Sequence, residues 1–217
     1  MDPVGLCHIG AGGFSNACIF PQLHRHPLRP LAICDLVEER ALAAQRRYGF
    51  ERVYTDFREM LDAERPDAVV CIGGPRVHYE VGMEVLDRGL PLYVQKSPAD
   101  TAAQTREMAD LAAERGVVCH VGFNLRSSVA VQRAREVLRR PEFGIPNTIV
   151  FRYGLCFGAT LRDVVMDQHC HACDTARYLM GEVEAITVER GRCEGVRHWA
   201  VLLRFASGAV GAIAFTE

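Results

Sequence analysis

A chain of 217 residues, 49% hydrophobic and 24% charged, has the length for one large or two small packed units and the composition of a globular protein. Its 25 Lys and Arg against 27 Asp and Glu give a net charge of -2 and no basic face for nucleic acid; the pairs Arg46-Arg47 and Arg139-Arg140 read as solvated helix surface. No apolar run approaches the roughly 18 residues of a membrane span, and the first strand starts almost at Met1 with no signal-like segment. The expectation is a soluble, cytoplasmic protein with neither membrane nor nucleic-acid partners.

The run Val4 to Ile9 reads as a buried strand that falls into Gly10-Ala11-Gly12-Gly13-Phe14-Ser15, with a helix following from Phe14. Strand, glycine turn and helix are how a dinucleotide site begins. Gly10 permits a tight turn, Gly12 lets backbone approach a pyrophosphate, and the free N–H groups of the helix start favour phosphate. Ser15 stands where the GxGxxG pattern has its third glycine. A second strand over 31–35 ends in Asp35, placed to accept hydrogen bonds from ribose hydroxyls or to cap the helix that starts near Val37. Asp35 would repel a 2′-phosphate, and Leu36 and Val37 supply no cation to receive one, so NAD is expected over NADP.

Further along, helical spacing predicts a helix over 37–48, stopped by Gly49, then a strand over 52–54 and a helix over 57–63. A strand over 67–72 runs into Gly73-Gly74-Pro75, and a helix over 78–87 follows. The strand over 92–94 delivers Gln95 and Lys96 to its carboxyl end. A helix over 101–114 and a strand over 117–121 complete the alternation, which calls for a parallel sheet covered by helices on both faces. Cys7, Cys34, Cys71 and Cys119 sit inside these apolar runs, where a thiol acts as a small hydrophobe, so reduced cysteines are expected.

Beyond Gly122 the pattern becomes α+β. A helix over 127–139 leads to an alternating strand over 148–153, then a helix over 161–180, and strands over 185–189, 199–205 and 209–215, the last two joined by a Ser207-Gly208 hairpin turn. The division falls at 1–122 and 123–217. Because the last strand is apolar up to Glu217, either the chain is truncated or another subunit covers that edge.

Three places carry candidate chemistry. Lys96 ends a strand where such sheets bind ligands. On a regular helix Asp167, His171 and Asp174 share one face with Tyr178, and a carboxylate one turn from a histidine orients the imidazole for general acid/base work. Asn124 and Arg126 either contact a hydroxylated or anionic substrate or cap the next helix. Cys170-x-x-Cys173, flanked by His169 and His171, has zinc ligand types, but Cys156 and Cys193 are isolated and no second pair is evident, so no metal is assigned.

Taken together, these blocks resemble the Gfo/Idh/MocA oxidoreductases, the glucose-fructose oxidoreductase and inositol dehydrogenase family. The resemblance rests on Gly10-Ala11-Gly12 with Asp35, Asp67-Ala68-Val69-Val70 running into Gly74-Pro75-x-x-His78, Gln95-Lys96-Ser97-Pro98, Gly122-Phe123-Asn124, and Asp167-x-x-x-His171-x-x-Asp174. Gln95 and Ser97 depart from that family's Glu-Lys-Pro. The resemblance implies a Rossmann domain followed by a smaller α+β open-sheet domain, incomplete here. It also implies a nicotinamide-dependent dehydrogenase acting on a sugar, sugar nucleotide or cyclitol, and a homo-oligomer formed through the second sheet. Lys96, Asp167 and His171 would surround the reacting carbon. Gly10, Gly12, Gly13, Phe14, Ser15, Asp35, Gly73, Gly74, Pro75, His78, Gln95 and Lys96 would hold the cofactor, and Asn124, Arg126, Tyr153, Asp167 and His171 the substrate. The rival reading is a dinucleotide-binding sensor or scaffold without turnover.

Overall fold

The computed structural model describes residues 2–154, 160–191 and 198–216; Cys156, Cys193 and Glu217 lie outside these residues. In its first half, strands β1 (Val4–Ile9), β2 (Leu28–Cys34), β3 (Arg52–Tyr54), β4 (Ala68–Cys71), β5 (Leu92–Val94) and β6 (Cys119–Val121) form one parallel sheet in the order β3-β2-β1-β4-β5-β6. Helices α1 (Glu38–Tyr48), α2 (Phe57–Glu64), α3 (Pro75–Asp87) and α4 (Ala102–Arg115) connect them. The strands read as unbroken apolar runs because both faces are covered. Cys7 and Ile9 pack with Met60, Val69, Val85 and Met108 on one side. On the other side Ile33 packs with Phe20, Ala41 and Phe50. Sheet and helices thus form a doubly wound Rossmann fold, with its topological switch point between β1 and β4.

Local chemistry sets where the elements start and stop. The Asp56 carboxylate accepts from the Arg58 N–H at 2.7 Å to open α2, and Thr101 Oγ1 accepts from the Gln104 N–H at 3.2 Å to open α4. Pro75, with its φ preset for a helix, starts α3 three residues before the expected His78. Val117 does not join β6 as expected. Its N–H bonds back to the Ala112 carbonyl at 3.0 Å in the turn that closes α4. The helix expected from Phe14 is irregular: a π turn over Ser15–Ile19 and a 3-10 turn over Phe20–Arg25. Pro21 has no N–H to continue an α ladder, and the Phe20 N–H reaches back to the Ser15 carbonyl instead.

The chain divides after Gly122 into two compact units. In the second, β7 (Thr148–Tyr153), β8 (Val183–Arg190), β9 (His198–Phe205) and β10 (Val210–Thr216) form a sheet in the order β7-β10-β9-β8, with β7 parallel to β10 and the other pairs antiparallel. Helices α5 (Val129–Leu138), α6 (Leu161–Val164) and α7 (Cys170–Met180) accompany it, and Val164, Ala172 and Ala176 pack on Trp199, Leu203, Phe205, Ile213 and Phe215. The arrangement is α+β with a mixed sheet. The Ser207-Gly208 turn is present, closed by the Gly208 N–H on the Phe205 carbonyl at 2.9 Å.

One expectation is overturned. The last strand is no edge: β10 lies between β7 and β9 and is paired along both sides. What stays open is a face, since Val150 is 77% exposed, Leu202 58% and Val210 51% on the side away from the helices. On the helix side, Ile186 and Val188 of β8 border a cavity of about 690 Å³ with Trp199, Val201 and Cys173.

Candidate functional site

At the switch point the backbone of the glycine turn is fixed from both sides. The Gly10 N–H bonds to the Cys34 carbonyl and the Ile72 N–H to the Ile9 carbonyl, both at 2.8 Å. Gly10 has φ +96°, and a Cβ there would run into the Ile72 carbonyl oxygen, so no other residue fits. Ser15, in the third-glycine position, is fully buried and donates its hydroxyl to the Gly10 carbonyl at 2.6 Å. Asn16 donates its amide to the carbonyls of Ala11 and Gly12 at 2.8 and 2.9 Å. Side chains therefore occupy the turn's carbonyls. By contrast, a Cβ on Gly12, Gly13 or Gly74 would meet nothing within 4 Å among the described residues beyond its local chain, and none of the three has a positive φ. The chain itself does not require glycine there; an approaching ligand would.

Asp35 holds two backbone N–H groups. One carboxylate oxygen accepts from the Val37 N–H at 2.9 Å, at the start of α1. The other accepts from the Ala11 N–H at 2.7 Å and ties β2 to the glycine turn, a contact no sequence signal announced. A carboxylate has about four acceptor positions, so two remain for ribose hydroxyls. The open glycines and this half-buried acid fit a dinucleotide.

Two loops flank the same end of the sheet. After β4, the Gly73 N–H donates to His78 Nε2 at 2.9 Å; after β5, His78 Nδ1 lies 2.8 Å from the Ser97 carbonyl oxygen. His78 is fully buried, and burial, its largest influence, holds its pKa below the usual imidazole range. Gln95 is buried against Gly122, and its side-chain carbonyl accepts from the Lys96 N–H at 3.2 Å. Lys96 is half-buried and its peptide bond to Ser97 is cis. Phe14 is 40% exposed beside the turn.

In the second unit the helical stripe is not continuous. A π turn over Val165–His169 separates α6 from α7, so Asp167 sits one inserted residue out of phase with α7. Asp167 is exposed and accepts from the Gln168 side chain at 2.6 Å. His171 is half-buried, edge-on to Phe123 with ring centroids 6.1 Å apart. Asp174 follows His171 on the same face of α7 and forms a two-point ion pair with Arg126, at 2.8 and 2.5 Å. Tyr178 lies one turn further along the same face of α7. Arg126 and Arg135 lie over its ring at 5.1 and 4.0 Å, and its hydroxyl accepts from Arg135 and Gln132.

The helix-cap alternative for Asn124 and Arg126 is overturned as well. Ser128 is the residue that caps α5, its hydroxyl accepting from the Val131 N–H at 3.3 Å, while Asn124 is exposed at the start of a 3-10 turn. Tyr153 is half-buried, and burial raises the pKa of its phenol. His169, read from sequence only as a neighbour of the cysteines, is a core residue stacked on Phe215 at 4.0 Å and close to Trp199 at 4.7 Å. The alternation that marks those aromatics as inward-facing was the available signal. Among the described residues no three His, Cys, Asp or Glu side chains converge as a metal site needs, and no helix is long and apolar enough to cross a membrane.

Fold and switch-point geometry define a Rossmann-type nucleotide-binding protein with an appended α+β unit. Residues 5–123 match the model of the oxidoreductase family with an NAD-binding Rossmann fold, and residues 131–216 match the Gfo/Idh/MocA C-terminal domain. The chain belongs to the Gfo/Idh/MocA oxidoreductase family. It is 32% identical over 203 residues to D-glucoside 3-dehydrogenase of Escherichia coli (strain K12), covering 83% of this chain and 55% of that protein. It is 25% identical over 197 residues to myo-inositol 2-dehydrogenase of Thermotoga maritima, covering 84% and 59%. A solved dehydrogenase from Chromobacterium violaceum superposes with a TM-score of 0.92 at 25% identity, over all of this chain and 66% of that one. The chain thus spans just over half the length of these curated relatives.

Proposed function

We propose that the chain works as an NAD-dependent dehydrogenase that transfers hydride between the nicotinamide and a CH–OH carbon of a sugar, sugar nucleotide or cyclitol. The observation that carries this reading is the pair of open glycines, Gly12 and Gly13, facing away from protein atoms beside an acid with acceptor capacity to spare. Relatives named as sugar and inositol dehydrogenases support the substrate class. When bound, the nicotinamide supplies the hydride acceptor or donor. Gly12 and Gly13 leave room for the pyrophosphate, and Asp35 accepts the ribose hydroxyls and disfavours a 2′-phosphate. His171 takes the proton from the substrate hydroxyl, or returns it in reduction. Lys96 stabilises the negative charge that develops on that oxygen, and Asp167 orients His171 or the substrate. Asn124, Arg126 and Tyr153 are the candidates for holding substrate, Arg126 only by sharing its guanidinium with Asp174. The seven described cysteines are all free, which suits the reducing conditions of a cytoplasm. The second sheet is the surface through which copies would associate.

Fluorescence titration with NADH and NADPH, followed by a polyol substrate panel, tests this. NADH is expected to bind more tightly than NADPH. Lys96→Met and His171→Ala are each expected to lower turnover on the order of a hundredfold while leaving NADH affinity nearly unchanged. Full turnover in both variants would refute the assigned roles. A parent protein that binds NADH and oxidises nothing in the panel would support the non-catalytic sensor instead.

A further inference from the structure

His78 lies in the first turn of α3, fully buried, with each ring nitrogen against the backbone of a different loop. The Gly73 N–H can only donate, and it meets Nε2 at 2.9 Å. Nε2 therefore carries a lone pair, which places the proton on Nδ1, where it is donated to the Ser97 carbonyl at 2.8 Å. The ring is neutral and held in one tautomer. We propose that neutral His78 is a positioning residue that clamps the loop of Gly73, Gly74 and Pro75 to the loop of Lys96 and Ser97, so that protonating it releases the first loop and weakens nucleotide binding.

The clamped loops leave the carboxyl ends of β4 and β5, which are hydrogen-bonded neighbours, at the end of the sheet where such folds take their ligands. Beyond the clamp, Gly74 faces open space and Lys96 is half-buried. A protonated ring would turn an Nε2–H toward the Gly73 N–H, donor against donor, and bury a charge at the same time. An apolar side chain of equal size would fill the volume yet leave the Gly73 N–H and the Ser97 carbonyl without this partner. The charges nearby do not favour protonation. Lys96 acts on the ring and opposes a second positive charge. On α3 itself Arg76 is paired with Glu80 and feels Asp100. From α4, Glu107 is held by the Tyr79 hydroxyl, while β4 and β5 contribute Val69, Cys71, Leu92 and Val94 to the apolar core. The clamp is thus closed at neutral pH and opens only below the ordinary imidazole range.

This inference rests on the nucleotide-binding reading, and the experiment separates the two. Imidazole nitrogen shifts and amide exchange at Gly73, measured by NMR on the full chain without nucleotide, report the clamp; NADH titration from neutral pH downward reports its consequence. The parent is expected to show the Nδ1–H tautomer, a slowly exchanging Gly73 amide, and NADH affinity that falls as protons are added. In His78→Phe, Gly73 should exchange faster, and NADH should bind about tenfold more weakly at neutral pH. His78→Gln keeps an acceptor for Gly73 and cannot take a proton; it should recover part of the affinity and lose the pH dependence, and it serves as the test should the Phe variant fail to fold. The clamp is overturned if Gly73 exchange is the same in parent and His78→Phe, or if the pH dependence survives in His78→Gln. If the parent binds neither NADH nor NADPH, the function proposed above fails instead, and the tautomer and Gly73 exchange still decide the clamp.

Discussion

Gly10 and Gly12 belong to the same turn but are glycine for different reasons, and that difference is measurable. At Gly10 a methyl group would meet the Ile72 carbonyl in a backbone with φ +96°, a combination of strain and overpacking worth on the order of 3 kcal/mol. Gly10→Ala should therefore lower the urea midpoint sharply. Gly12→Ala meets only open space, and should keep the parental midpoint while weakening NADH binding; an unchanged NADH affinity would mean that no pyrophosphate lies there. The sequence marked both positions through spacing alone. It placed Ser15 in the third-glycine position but gave no sign of the hydrogen bonds that Ser15 and Asn16 make to the turn, which depend on an irregular helix that no propensity signals. His8 was hidden in the same way, inside an apolar run. It is fully buried beside Phe20, neither ring nitrogen is hydrogen-bonded among the described residues, and burial lowers its pKa from 6.5 to about 3. Between those values the unfolded chain binds the proton and the folded one does not, so stability falls as pH drops through this window, by about 1.4 kcal/mol per unit. His8→Leu should remove that increment from the pH dependence of urea unfolding. An identical slope in parent and variant would show that His8 titrates normally.

At the scale of elements, the first sheet was the most legible part of the chain, because β1, β2 and β4 are covered on both faces and their apolar runs admit few other readings. The helix expected over 161–180 shows the limit of periodicity. Its composition identifies a helix, but the π turn over Val165–His169 shifts the phase, and a face drawn at regular spacing wrongly carries Asp167 onto the side of α7 that His171, Asp174 and Tyr178 share. Asp174 and Tyr178 bind Arg126, Arg135 and Gln132, partners set by how α7 meets α5 and the turn before it, which lies outside local pattern. The Arg126–Asp174 pair holds this corner, with the carboxylate side chain 9% exposed and the arginine 43%. Arg126→Lys keeps the charge but loses the fork and the stacking on Tyr178. The loss should be about 1 kcal/mol, modest because the arginine is solvated, and calorimetry should show a lower melting temperature with NADH affinity retained. A melting temperature equal to that of the parent would mean the pair is held by solvent alone.

For the molecule as a whole, the unexplained surface is the outer face of the second sheet. Ala212 of β10 stands opposite Val150 on β7 and opposite Leu202 on β9, so these three side chains form an apolar row across three strands, with Val210 next to it. Sequence alternation correctly gave this sheet one covered face, but it placed the liability at the end of the last strand, because strand order is invisible in a linear pattern. With β10 paired on both sides, the exposed apolar area lies on the face, and such patches mark association surfaces in soluble proteins. A closed dimer would place the same row from each copy against the other, and opposed sheets of this kind pack about 10 Å apart. Leu202 ends the row on β9 and projects outward, so Leu202→Glu costs the monomer fold little, yet pairing two copies would bring like charges together in a desolvated contact. Sedimentation at micromolar concentration should show the parent as a dimer or larger species and Leu202→Glu, or Val150→Glu, shifted toward the monomer, with circular dichroism unchanged. A parent that sediments as a stable monomer, or variants that associate as the parent does, would leave this face with some other role.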